Sequence, residues 1–133
     1  MSKETNIPHL VGKKGYVVDE QIFANAKCET LELHGIKGDW SDKIDDNLDS
    51  ALLAGGFSFA VLHNITLEDE ETIVRTLQKG IKVLFQATSA THTLELQQMY
   101  IRFVKFGAVE VPRRAMIGDL LPILEDMFNE HGD

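Results

Sequence analysis

The segment of this chain that says most about its fold is Gly55-Gly56-Phe57-Ser58-Phe59-Ala60-Val61-Leu62-His63-Asn64. It opens on two glycines, continues as an apolar and aromatic run, and closes on two polar side chains. A run of about seven such residues is typical of a strand that is buried on both faces. Because the segments on either side have helical patterns, we predict that this run is the central strand of an α/β sheet.

The rest of the chain alternates between short β-prone runs and helical patterns. The runs predict further strands at residues 13–18, near Ile36, at 81–87 and at 108–111. Helical spacing predicts helices at residues 41–54, 66–79, 91–106 and 114–129. Residues 22–33 fit either a helical stripe or the alternation of a strand, and both interpretations stay open.

This alternation predicts parallel strands joined by right-handed crossovers, with helices on both faces of the sheet. We therefore predict an α/β fold with a single doubly wound, flavodoxin-like domain and a mainly parallel sheet of about five strands. Residues 1–12 are polar, contain Pro8 and lack periodicity, so we expect a flexible N-terminal arm followed by one domain over residues 13–133.

Capping residues predict where several helices begin. Ser41 is a good N-cap for the helix that follows it, and Thr66 with Asp69 resembles a capping box. The helix over 91–106 is expected to take its cap from one of three hydroxyl residues, Thr88, Ser89 and Thr91.

Composition excludes several classes of function. The chain has 133 residues and a net charge of −8, which argues against binding to nucleic acid or to an anionic membrane surface. It has no apolar run long enough to span a membrane, and its first residues lack the apolar core of a signal peptide, so we expect a cytoplasmic protein. Cys28 is the single cysteine and the five histidines lack zinc-site spacing, so we predict neither a metal nor a cofactor.

Polar residues follow three of the predicted strands and form the candidate binding site. They are Asp19 and Glu20 after the first strand, His63 and Asn64 after the central strand, and Thr88 after the fourth. In doubly wound sheets, ligands bind beyond the carboxyl ends of the strands.

Each of these groups also has a purely structural interpretation. His63 is a candidate for phosphorylation, metal binding or pH sensing, or it simply bonds a neighbouring backbone group. Asp19 and Glu20 form a poor divalent-cation site without a third oxygen donor, and capping of the next helix is the alternative.

Several local strings resemble the receiver domain of bacterial response regulators. They are Val17-Val18-Asp19-Glu20, Phe59-Ala60-Val61-Leu62, Val83-Leu84-Phe85 with Thr88 or Ser89, and Gly107-Ala108-Val109-Glu110-Val111-Pro112. The resemblance implies an acidic pair that holds Mg²⁺, a third carboxylate that accepts a phosphoryl group, a hydroxyl and a lysine.

The resemblance leaves two of those parts unfilled. The acidic pair falls on Asp19 and Glu20 and the hydroxyl on Thr88, but the phospho-acceptor falls on His63 or Asn64 and the lysine on Val111. The resemblance therefore implies a degenerate receiver, or pseudo-receiver, without phospho-aspartate chemistry.

The helix over 91–106 carries apolar residues on more than one side, which indicates either a deeply buried helix or an interface. The resemblance implies that the last helix-strand-helix surface serves for dimerisation and for docking of partners. In this chain the residues of that surface are Tyr100, Phe103, Lys105, Phe106, Arg113 and Arg114.

We therefore expect a non-enzymatic regulatory module that acts through protein contacts, as a homodimer. One alternative is a small-ligand sensor or small enzyme that uses the strand-end pocket. Another is a regulator of the STAS type, an anti-sigma antagonist. Five parallel strands in the order 2-1-3-4-5 favour the receiver, whereas a mixed sheet with an antiparallel edge favours STAS.

Overall fold

The computed structural model describes residues 9–86, 93–112 and 116–129. In them, five strands alternate with five α-helices. The strands are β1 (Lys14–Val18), β2 (Lys37–Ser41), β3 (Phe59–Leu62), β4 (Lys82–Gln86) and β5 (Val109–Val111). The helices are α1 (Gln21–Leu33), α2 (Leu48–Ala54), α3 (Glu70–Gln78), α4 (Leu94–Lys105) and α5 (Ile117–Asn129).

The five strands form one sheet in the order β2-β1-β3-β4-β5, and every neighbouring pair is parallel. This order confirms the predicted doubly wound α/β fold. The antiparallel edge that would favour a STAS-type regulator does not occur among the described strands.

Strand β3 lies in the centre of the sheet, and all four of its residues are completely buried. Phe59 and Val61 face a core formed with α1 and α5, whereas Ala60 and Leu62 face a second core formed with α2, α3 and α4. Burying a large apolar side chain contributes about 1.5–3 kcal/mol, so a strand that is apolar on both sides is stabilised by helices on both faces.

One glycine in β1 is required by the packing of β3. Gly15 is paired with Phe59, and a Cβ atom added to Gly15 would lie 2.3 Å from the Phe59 ring. Any larger residue would have to displace this completely buried ring.

The structure decides or corrects several element boundaries. Residues 21–33 are helical, which settles the open choice. The expected N-cap Ser41 is instead the last residue of β2, paired with Val18, and α2 begins at Leu48.

The capping box of Thr66 and Asp69 is confirmed, and it begins a short 3₁₀ turn that leads into α3. Helix α4 is capped by Thr93, whose Oγ1 accepts a hydrogen bond from the Leu96 N–H; the predicted caps Thr88, Ser89 and Thr91 lie outside the described residues.

The N-terminal boundary involves Leu10. This residue was expected in the flexible arm, but its side chain is completely buried in the core beside α1 and α5. Residues 1–8 lie outside the described part of the chain, so the arm remains a prediction there.

Helix α4 has an inner stripe that belongs to the core. The stripe consists of Leu96, Met99, Tyr100 and Phe103, spaced as one face of a helix. Tyr100 and Phe103 pack against Phe85 of β4, with ring centroids 5.3 and 5.6 Å from it. These two residues were predicted on an interaction surface, and the structure corrects this, because they are only 4% and 0% exposed.

An ion-pair cluster joins α2 to α3. Asp49 is buried, and its Oδ2 accepts hydrogen bonds from Lys79 Nζ at 2.7 Å and from Arg75 Nε at 3.2 Å. The Lys79 hydrogen bond lowers the pKa of Asp49, burial opposes this, and Arg75 adds to the lowering, which leaves a pKa of about 2. The two helices are therefore held together by a carboxylate that stays charged at neutral pH.

No helix of the described residues is both long and apolar enough to cross a membrane.

The two aromatic residues near the end of α4 should respond very differently to truncation. We expect Phe103→Ala to lower the free energy of unfolding by about 3–5 kcal/mol, because it leaves a cavity beside Phe85. Phe106→Ala is the matched control and should cost about 1 kcal/mol or less, because Phe106 is 49% exposed. Urea denaturation of both variants measures the difference, and equal losses would contradict the assignment of Phe103 to the core.

Candidate functional site

The strand register brings three polar side chains to one edge and one face of the sheet. Val18, Leu62 and Phe85 are partners across β1, β3 and β4, and all three point into the core beneath α2, α3 and α4. Successive side chains of an extended chain point to opposite faces, so the residue after each of these three points towards α1 and α5. These residues are Asp19 and His63, which directly follow β1 and β3, and Gln86, which ends β4.

Asp19 is the centre of this site. Its side chain is 3% exposed, and Oδ2 accepts a hydrogen bond from Lys27 Nζ at 2.7 Å. Oδ1 accepts one from the Glu20 backbone N–H at 2.7 Å and lies 3.1 Å from His63 Nδ1. Both carboxylate oxygens therefore have partners within the protein.

Lys27 reaches the site from α1. Ala24, Cys28 and Leu31 form the buried stripe of this helix, and Lys27 lies on the same side at helical spacing. Its Nζ also donates to Gln86 Oε1 at 3.2 Å, and Gln86 Nε2 donates to the carbonyl of Pro112 at 3.0 Å. The result is a polar network that extends from the end of β1, across the sheet edge, to the end of β5.

The network fixes the charge of Asp19. Burial acts to raise the pKa of the Asp19 carboxyl, but hydrogen bonds from Lys27 and from the Glu20 N–H, with the charges of Lys27 and His63, hold the pKa below its ordinary value. Asp19 is therefore a carboxylate at neutral pH, and the ammonium of Lys27 balances its charge.

The other residues of the predicted strand-end site have different environments. His63 is 25% exposed, and its Nδ1 contacts the network at Asp19 Oδ1. Asn64 has a φ of 59°, in the left-handed region that asparagine tolerates better than most residues. Glu20 is exposed and makes no side-chain cap at the start of α1, so the expected capping by its side chain does not occur. Thr88 lies outside the described residues.

The donor set does not suit the Mg²⁺ ion that the receiver resemblance implies. Among the described residues, no group of three or more His, Cys, Asp or Glu side chains converges on a point where an ion would bind. The oxygens that face the network, Asp19 Oδ2 and Gln86 Oε1, are already bound to the Lys27 ammonium.

Cys28 offers no nucleophile beside this network. Burial, followed by the nearby charges of Asp39 and Glu32, raises the pKa of its thiol to about 11. The thiol is therefore protonated at neutral pH, as expected for a packed, inert cysteine.

Sequence reasoning missed two members of the network, Lys27 and Gln86. The available signals were a lysine at a core-facing position of a possible helix and a glutamine at the end of an apolar strand. Because residues 22–33 were open between helix and strand, the first signal had no definite face to which it could be assigned.

The predicted interaction surface is only partly exposed. Lys105 and Phe106 are exposed, and Arg113 and Arg114 lie outside the described residues. Three further apolar residues of α4 are exposed by 67%, 58% and 49%, namely Leu94, Ile101 and Val104. We define the α4 surface as Leu94, Ile101, Val104, Lys105 and Phe106.

A surface groove of about 620 Å³ runs along α3, between Leu67 and Gln78. None of the residues that line it belongs to the network of Asp19 and Lys27.

Solved structures similar to this chain include a receiver domain and a fusion with a coiled coil. The non-phosphorylated HemR receiver domain from Leptospira biflexa has a TM-score of 0.59 and 21% identity, and the match covers 87% of this chain and 93% of that chain. A chain that fuses amino acids 181–211 of the yeast Spc42 trimeric coiled coil to another structure has a TM-score of 0.64 and 18% identity, with 92% and 79% covered. No protein-family model and no curated protein matches this chain. At these identities the similarity shows the fold alone, which is the flavodoxin-like α/β fold of a receiver domain.

The two acidic residues after β1 should differ in their contribution to stability. We expect Asp19→Ala to lower the free energy of unfolding by about 3 kcal/mol, because it leaves the largely buried ammonium of Lys27 without its carboxylate. The matched control is Glu20→Ala, which removes an exposed carboxylate and should change the stability by about 0.5 kcal/mol or less. Guanidinium denaturation tests this, and an Asp19→Ala midpoint as high as that of Glu20→Ala would contradict the network.

Proposed function

We propose that this chain is a non-enzymatic regulatory module with a receiver-like fold, which takes no phosphoryl group on a carboxylate and acts through protein contacts. The observation that carries the proposal is the state of the strand-end site. Asp19 is buried and neutralised by Lys27 at 2.7 Å, and β3 is followed by His63 and Asn64 rather than by a carboxylate. A buried, charge-paired carboxylate is a poor nucleophile, because attack would require it to leave its partners.

The receiver resemblance supports a regulatory role, and the degenerate site supports a pseudo-receiver. In a phosphoryl-transfer site, metal and lysine charges neutralise the moving phosphate. In this chain the lysine that reaches the strand ends comes from α1 and its charge is matched by Asp19. Val111 stands at the end of β5, where the resemblance would place a lysine.

The alternative of a ligand sensor or small enzyme at the strand ends has less support. A pocket for a polar ligand needs polar groups that are free to bind it. The side chains of Asp19, Lys27 and Gln86 are bound to one another instead.

The α4 surface is the face that we propose for protein contacts, with a second copy of the chain as the first candidate partner. It presents Leu94, Ile101 and Val104 to solvent beside Lys105 and the half-exposed ring of Phe106. Exposed apolar and aromatic side chains are typical of the core of protein interfaces, where lysine is depleted, so the apolar residues rather than Lys105 support this face.

The absence of carboxylate phosphorylation can be tested with acetyl phosphate and Mg²⁺. We expect the intact mass of the chain to stay unchanged, because Asp19 is held by Lys27 and the two residues directly after β3, His63 and Asn64, carry no carboxylate. A conventional receiver domain treated in parallel shows that the reagent is active. Stoichiometric addition of a phosphoryl group to an aspartate or glutamate of this chain would contradict the proposal.

The α4 surface can be tested by light scattering after size-exclusion chromatography. We expect the wild-type chain to elute with roughly twice its mass of 14.9 kDa, and Ile101→Glu to elute as a monomer, because a buried unpaired charge opposes association. Leu33→Glu is the matched control, since Leu33 is 70% exposed on α1, and it should keep the wild-type mass. A monomeric wild-type chain, or equal dissociation of both variants, would contradict a homodimer through α4.

A further inference from the structure

The ammonium of Lys27 contacts two side-chain oxygen atoms at the carboxyl ends of the strands. Nζ is 2.7 Å from Asp19 Oδ2 and 3.2 Å from Gln86 Oε1. The Lys27 side chain is 13% exposed and that of Asp19 is 3% exposed, so the pair is largely removed from water.

The same oxygens are of the type that hard divalent cations prefer. Mg²⁺ and Ca²⁺ bind carboxylate and amide oxygens. Glu20, next to Asp19 in the chain, has an exposed carboxylate and would add a second negative charge. With the ammonium in place, an incoming divalent ion would have to displace it or lie against a like charge.

We infer that Lys27 is the resident cation of this strand-end site. Its ammonium keeps divalent ions out and holds the ends of β1 and β4 in one arrangement that needs no metal. This inference goes beyond the proposed function and does not depend on it, because it concerns only the chain's own ions and side chains.

The Lys27 ammonium is also connected, through Gln86, to the residue that follows β5. Gln86 shares its amide between Lys27, through Oε1, and the Pro112 carbonyl, through Nε2. Gln86 is buried and is the last residue of β4, so its side chain has little freedom to move independently of these two partners. The Lys27 side chain therefore holds the ends of β1 and β4 together, and through Gln86 the end of β5, without a metal ion.

Thermal unfolding of four forms of the full chain tests the inference, with millimolar Mg²⁺ or with a chelator. For the wild type and for Lys27→Arg, we expect the Tm with Mg²⁺ to equal the Tm with the chelator, because each keeps a cation beside Asp19. Lys27→Met should unfold several degrees lower, and Mg²⁺ should recover part of that loss, since an ion that binds only the folded state raises Tm. The double variant Lys27→Met with Asp19→Asn should lose the response to Mg²⁺.

Two results would overturn the inference. One is a Mg²⁺-dependent rise in Tm of the wild type as large as that of Lys27→Met, and the other is a Lys27→Met variant whose Tm ignores Mg²⁺. If Lys27→Met does not fold, Mn²⁺ broadening of wild-type amide NMR signals decides instead. We expect no selective broadening at Glu20 and Asn64, and selective broadening there would show that Lys27 does not exclude divalent ions.

Discussion

The complete burial of β3 determines how the other strands and the helices are arranged around it. A strand without an exposed face must have helices on both sides, and its backbone groups must be paired with strands at both edges. Strands β1 and β4 provide those partners, and the two helical layers provide the cores. The pairing also fixes which residues share a row, and thereby determines the composition of the strand-end site.

That row contains a charge, and the charge requires a partner. The register places Asp19 on the side of the sheet that α1 covers, where an isolated carboxylate would be expensive to bury. Lys27, from the inner stripe of α1, supplies the compensating charge, and Gln86 extends the network towards Pro112. The polar groups of this site are hydrogen-bonded to one another rather than free to bind a ligand. We therefore propose that partner proteins bind to the exposed helices.

Particular residues show which parts of the structure the sequence pattern could predict. The run from Phe59 to Leu62 predicted a central strand, and Thr66 with Asp69 predicted a capping box, because both signals depend on neighbouring residues alone. The prediction that Ser41 caps a helix was wrong, since the pairing of β2 with β1 outweighs its capping propensity. The prediction that Tyr100 and Phe103 lie on an interaction surface was wrong, because α4 is apolar on two sides and only its packing against Phe85 shows which side is inside.

Residue patterns were enough to predict the alternation of elements, the parallel sheet and the polar residues at the strand ends, since these follow from local periodicity and from rules for connecting strands. The pairing of Asp19 with Lys27 is visible only in the folded chain, because the two residues meet through the packing of α1 on the sheet. The same packing decided which aromatic residues of α4 are core and which remain at the surface. Contacts of this kind depend on the relative placement of whole elements, and residue patterns along the chain do not record it.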